Sequence, residues 1–290
     1  MSRPLRIEFP GAVYHVTARG NRREPIFAGD ADRQALLDVL AKALDRHDAV
    51  ALAYCLMGNH YHLVLRTQAA NLSTLMRYVN GVYSQRYNRR HGHIGHLFQG
   101  RFHAVLVDHE TYLAAACRYV EQNPVRANMV ANADAWRWSS YRVHVGVAPA
   151  PPWLDVDDLH AFLLGRPPEN VSDRALAGRR YAELVGETPA DSLWSGALRQ
   201  QIFLGDAAFV ARTVEHASPS RARDPDIPRR QRVTQRALSL WLADSSGRDE
   251  ALLRAYRDGG VSMTAIARQL GLSVSRVSRL IAREEAKGKT

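Results

Sequence analysis

Two apolar runs held apart by Gly58-Asn59 constrain this chain more than any other feature. "AVALAYCLM" (49–57) precedes the pair and "HYHLVLRT" (60–67) follows it. Gly-Asn between two strand-like runs is a signal for a two-residue hairpin. A hairpin fixes its own register, and register decides which face each side chain occupies. Strand periodicity then puts His60 and His62 on the same face, with Cβ atoms about 6.5–7 Å apart. Two imidazoles so placed can converge on one metal ion. The plainer reading is a hydrogen-bonded histidine in a core, so other residues must decide.

The rest of the N-terminal half fits around that hairpin. "GAVYHVTAR" (11–19) alternates apolar and polar residues as a strand does. "DADRQALLDVLAKALDRH" (30–47) repeats Leu and Ala at helical spacing behind acidic starter residues. "NLSTLMRYVNGVYSQRYNRR" (71–90) starts at an Asn cap and carries Leu72, Leu75, Met76, Val79, Val82 and Tyr83 on one stripe. "HGHIGHLFQG" (91–100) is a Gly-rich loop, and "RFHAVLVD" (101–108) is a further strand. "HETYLAAACRYVEQN" (109–123) is a helix stopped by Pro124. Strand, helix, strand, strand, helix, strand, helix is the order of the split-βαβ, ferredoxin-like plan, an α+β fold. The expected organisation is a domain over 1–150 and a helical extension over 151–217. A basic linker and connecting helix over 218–248 and a terminal helical domain over 249–290 complete it. "SLWSGALRQQIFLGDAAFVARTVEHA" reads as the clearest helix of the extension.

Charge narrows the partner. Lys and Arg number 39 against 29 Asp and Glu, for a net +10. That excess favours a polyanion, usually nucleic acid. No apolar stretch approaches a membrane span, and the N-terminus shows no signal-peptide core. Cys55 and Cys117 stand in apolar contexts as reduced core thiols, so a cytoplasmic, nucleoid-associated protein is expected. Monomer and homodimer both remain open.

The helix ending at Pro124 supplies partners for the histidines. Tyr119 and Asn123 are four apart and share a face. Asn123 offers a carbonyl oxygen suited to Mg²⁺ or Mn²⁺. Tyr119 offers a phenolic oxygen that can attack a phosphodiester once deprotonated. Taken singly, the first is as readily a helix C-cap and the second a core tyrosine. Tyr112, seven residues earlier, is the rival nucleophile, but Ala116 stands where a polar ligand would be needed. His91, His93 and His96 lack the carboxylate or thiol that would complete a zinc pattern. Arg22, Arg23, Arg86, Arg89, Arg90, Arg101 and Arg126 are candidates for phosphates, and Phe98 and Phe102 for stacking on bases. No phosphate-binding G-x-x-x-x-G-K-[ST] occurs.

"GNHYHLVL", "GHLFQGRF", "RYVEQNPVRANMV" and "GAVYHVTARGNRREPIF" together resemble the REP-associated tyrosine transposases, a branch of the single-tyrosine HUH nucleases. The resemblance spans about residues 1–145. It implies that His60, His62 and Asn123 hold a divalent metal and that Tyr119 attacks single-stranded DNA. The products would be a 5′-phosphotyrosine link and a free 3′-OH. It also implies a substrate of short palindromic hairpins flanked by a guide tetranucleotide. Related insertion-sequence transposases commonly have Gln at the place of Asn123.

Near the C-terminus, "DEALLRAYRDGGVSMTAIARQLGLSVSRVSRLIAREEAKGK" (249–289) reads as three short helices. Ala267, Gly271 and Val277 fall at the small, turn and apolar places of a helix-turn-helix. Its second helix would start near Ser273 and offer Ser273, Ser275, Arg276 and Arg279 to duplex DNA. Two rival functions stand beside the nuclease. One is a non-catalytic DNA-binding regulator using this module. The other is a metal-dependent hydrolase in which water replaces Tyr119.

Overall fold

The structure, a computed structural model, describes residues 7–186, 198–199, 202–217, 238–245, 247–257 and 263–287. The chain divides into two compact units, one through Val214 and one from Glu215 onward.

The first unit is built on β1 (Val13–Arg19), β2 (Ala49–Leu56), β3 (His60–Thr67) and β4 (His103–Val107). Their order in the sheet is β2-β3-β1-β4, and all three pairings are antiparallel. With α1 (Asp30–Arg46) between β1 and β2, and α2 (Leu72–His91) between β3 and β4, this is the ferredoxin-like plan. The β2–β3 turn closes with the Met57 N–H donating to the His60 carbonyl at 2.9 Å. Neither Gly58 nor Asn59 has a positive φ, so the turn is not of the mirror-image type that Gly-Asn commonly serves.

The two faces of the sheet pack differently. Tyr61, between the two histidines, is fully buried on the α2 side, where its hydroxyl donates to Asn80. On the opposite face Val13, Val64, Val105 and Val107 share one core with Leu113, Ala116, Cys117 and Val120 of α3 (His109–Glu121). Each such valine or leucine contributes about 1.5–3 kcal/mol when fully buried. Alternation along the strands therefore puts His15, His60 and His62 on the α3 face.

The structure adds detail to three expectations. In the segment read as one long helix around 192–217, the described residues hold a helix over Ala207–Ala217. Before it, Leu198–Arg199 (β5) and Phe203–Leu204 (β6) join the sheet, with β6 parallel to β4. The open edge of β4 offers the backbone partners that stabilise so short a strand, and Phe203 and Leu204 are buried there. Helices Val156–Leu164 and Val171–Gly186 contribute Leu159, Tyr181 and Val185 to the same core as α3, so the extension is packed into the first unit. Asn71 stands at the N-cap of α2 but does not cap with its side chain; its amide donates to the His47 carbonyl instead.

The second unit holds helices Leu238–Ala243, Arg248–Arg257, Met263–Leu270 and Val274–Lys287 around Leu252, Ile266, Val277 and Ile281. Gly271 takes φ +64 in the turn before the last helix. Ser273 then caps that helix, its hydroxyl accepting from the Arg276 N–H at 3.3 Å. The basic linker 218–232 lies outside the described residues. No helix among the described residues is long and apolar enough to cross a membrane.

Candidate active site

Register assembles the site. β1 pairs with β3 so that Thr17 faces His62 and His15 faces Val64. His15 and His62 are thus diagonal neighbours on one face, about 7–8 Å apart at Cα, within reach of two ring side chains. Their rings stack at 5.2 Å with an interplanar angle of 3°. His15 Nε2 lies 2.9 Å from His62 Nδ1. His60 stands 5.0 Å from His62, ring to ring, and its Nδ1 lies 2.7 Å from Asn59 Oδ1.

Both motif histidines therefore have Nδ1 engaged. His62 Nε2 is buried and has no hydrogen-bond partner. A buried nitrogen left so is costly in a finished core, and an ordered water or an ion would satisfy it. Burial favours the neutral imidazoles that metal ligation needs. It holds His15 down at about 3 and, with Arg19 nearby, His60 at about 4. His62 is pushed well below the ordinary histidine value by burial, then by His15, His60, Arg19 and Arg126.

Helix α3 brings the tyrosine. The Tyr119 ring stands edge-on to His15 at 5.7 Å and to His62 at 6.1 Å. The Arg126 guanidinium lies 4.5 Å above the same ring. Tyr112 is packed against the core of that face, but Tyr119 is the tyrosine that meets the histidines. Pro124 does not simply end the helix: after Gln122 it opens a short second turn, Asn123–Arg126. Asn123 Nδ2 donates to the carbonyls of Tyr119 and Val120 at 2.8 and 3.2 Å. With that nitrogen tied to the backbone, Oδ1 is the atom left for a cation. Two imidazoles and an amide oxygen fit a divalent ion. Among the described residues no group of three or more His, Cys, Asp or Glu side chains could hold a metal ion.

The basic residues separate into groups. Arg22 and Arg23 are exposed, with φ 54 and 62. Their turn is tied to the site through Asn59, whose side chain donates to the Arg23 carbonyl and whose own carbonyl accepts from the Gly20 N–H. Arg86, Arg89, Arg101 and Arg126 are exposed. Arg90 is committed to the buried Asp32 at 2.7 Å. Phe98 and Phe102 are buried, contrary to the stacking role expected of them. Phe98 packs against Tyr61 and Tyr83, because the loop folds back and bridges Gly20. In the second unit Ser273, Arg276 and Arg279 are exposed, while the side chain of Ser275 lies outside the described residues.

Sequence reasoning missed His15, although its alternation with Val13 and Thr17 was visible. It also missed Glu121, fully buried two residues after Tyr119. That carboxylate accepts from Ser140, from Tyr181 at 2.7 Å and from His144 Nδ1 at 2.8 Å, which anchors the end of α3.

Comparisons with known proteins match two stretches of the chain. Residues 9–123 match the family described as IS200-like transposases, and residues 250–289 match a helix-turn-helix domain. The chain thus carries an IS200-like transposase domain followed by a DNA-binding helix-turn-helix domain. Among solved structures, one is a REP-associated tyrosine transposase bound to a REP hairpin. It is 20% identical with a TM-score of 0.44, over 53% of this chain and 94% of that one. Another, a candidate transposase from Deinococcus radiodurans R1, is 15% identical with a TM-score of 0.30, over 44% and 91%. No curated protein matches.

Proposed function

We propose that the protein is a divalent-metal-dependent endonuclease and strand transferase for single-stranded DNA, acting at palindromic, REP-like hairpins. His60, His62 and Asn123 hold Mg²⁺ or Mn²⁺, and Tyr119 is the nucleophile. When bound, the ion polarises the scissile phosphate and offsets charge on the leaving oxygen. The Tyr119 oxygen forms a bond to phosphorus as the bond from phosphorus to the 3′ oxygen breaks. The phenolic proton passes, in balance, to that 3′ oxygen. A 5′-phosphotyrosine and a 3′-OH result, and the reverse reaction rejoins strands without ATP. Arg126 packs over the Tyr119 ring and helps to hold it in place, and the exposed arginines hold phosphates. The helix-turn-helix unit adds affinity for duplex DNA.

The observation that carries this reading is the buried, partnerless Nε2 of His62 beside an edge-on Tyr119. The test is incubation with Mn²⁺ and single-stranded palindromes taken from around its own gene, followed by a denaturing gel. A DNA-shifted band that Tyr119→Phe abolishes is expected. Metal-dependent cleavage without any adduct would favour attack by water instead.

A further inference from the structure

We propose that His15 is a positioning residue for the metal site, holding His62 in the one ring orientation and tautomer that turns Nε2 toward the ion. The inference rests on the metal-site reading above and adds a residue outside the His-Tyr-His motif.

The geometry is specific. The 2.9 Å separation of His15 Nε2 and His62 Nδ1 leaves room for one proton between them. If His62 ligates through Nε2, its lone pair is there and its proton is on Nδ1. That proton must then be donated to His15 Nε2, which accepts with its own lone pair. The parallel rings, 5.2 Å apart, fix the His62 plane as well as its tautomer. His15 sits on β1, the strand between β3 and β4, and is itself buried, so it holds its rotamer against rigid neighbours. The same ring meets Tyr119 edge-on at 5.7 Å. One side chain thus sets the ligand and borders the nucleophile. Histidine ligands generally donate their other N–H to such an orienting partner, and losing it costs about 10–100-fold in metal affinity.

Two substitutions separate acceptor from packing. His15→Phe keeps a ring in the core and removes the acceptor. His15→Gln places an amide oxygen near the position of Nε2 and removes the ring. Mn²⁺ binding to the full chain, read by the loss of the free-ion EPR signal, should weaken about 10–100-fold in His15→Phe. It should stay near the wild-type value in His15→Gln. Thermal melts establish that each variant is folded. Nitrogen shifts of ¹⁵N-histidine in the unsubstituted protein give a reading that needs no variant. His62 should be protonated at Nδ1 and bare at Nε2 above pH 7. Equal Mn²⁺ affinity in His15→Phe and wild type, or a His62 protonated at Nε2, would overturn this inference and leave the metal site standing. Failure of the wild type to bind Mn²⁺ at all would overturn the metal site and this inference with it.

Discussion

Asn123 Nδ2 donates to the Val120 carbonyl, the acceptor that Pro124 leaves without its usual backbone N–H. The side chain thereby repairs the break that the proline makes and presents Oδ1 on its other side. Asn123→Ala should lose about 0.5–1.5 kcal/mol of stability with this bond, and should weaken Mn²⁺ binding as well. Asn123→Gln keeps an amide oxygen but is one methylene too long for the same repair. It should retain part of the metal affinity while losing a similar amount of stability. Urea unfolding and Mn²⁺ titration of the two variants separate the roles. Identical metal affinity in wild type and Asn123→Ala would remove this residue from the ligand set.

Tyr119→Phe removes one oxygen and keeps the ring against His15, His62 and Arg126. Covalent attachment to DNA should vanish, while hairpin affinity and melting temperature stay close to those of the wild type. Tyr112→Phe should still form the adduct. A denaturing gel beside a binding assay decides, and the opposite pattern would move the nucleophile to Tyr112.

The hairpin, the helices and the pairing of motif histidines on one face were legible because each depends on short-range periodicity. "HYHLVLRT" became β3 without adjustment. His15 was not legible as a site residue. Its meeting with His62 depends on the register between two strands 47 residues apart, which no local pattern encodes. Phe98 was misjudged for a related reason. A Gly-rich loop reads as exposed, but this one is drawn inward where Gly20 bridges Phe98. Strands β5 and β6 are two residues each, held by the β4 edge rather than by their own propensity.

Consecutive arginines in the left-handed region are a stability cost kept at the surface. Arg22 and Arg23 have φ 54 and 62, beside the Asn59 that holds His60. Left-handed backbone costs a non-glycine residue about 1–2 kcal/mol, against about 0.5–1 kcal/mol for glycine's extra entropy. Arg22→Gly and Arg23→Gly should therefore leave stability unchanged or slightly raised. Affinity for single-stranded hairpins should fall, and the log–log salt slope should flatten by about 0.7 for each phosphate no longer neutralised. Undiminished hairpin affinity in both variants would show that this turn does not hold the strand.

Acid should destabilise the metal-free protein through its buried histidines. In the fold, burial keeps His15 near 3 and His60 near 4, with His62 also well below the ordinary value. In the unfolded chain each takes up its proton near 6.5. Below that pH the unfolded state binds more protons, so stability falls as pH falls. The contribution is fully present above about 6.5 and drains away toward the folded values. For the fully buried His15 the slope is at most about 1.4 kcal/mol per pH unit. Urea midpoints in chelator should drop between pH 7.5 and 5, and less steeply in His15→Phe. A flat profile across that window would mean these rings are protonated in the fold or exposed to solvent.

The division between the two units sets the last expectation. The first unit runs through Val214 and contains both motif histidines, Tyr119, Asn123 and the Arg22–Arg23 turn. A chain ending at Ala217 keeps that core and should still nick single-stranded hairpins. It lacks the basic segment 218–232 and the helix that Ser273 caps, where Arg276 and Arg279 are exposed. Duplex affinity should fall, and the salt dependence should flatten by about 0.9 in log–log slope for each duplex phosphate no longer neutralised. In the full chain, Arg276→Ala and Arg279→Ala distinguish two kinds of role. An arginine that reads a base should cost about 1–3 kcal/mol on the preferred sequence and little on others. One that holds a phosphate should weaken every sequence alike. Anisotropy of labelled duplexes at several salt concentrations measures both effects. Equal affinity and equal salt slope for the shortened and full chains would take duplex binding away from the second unit. Loss of nicking on shortening would instead make that unit part of the strand-cleaving machinery.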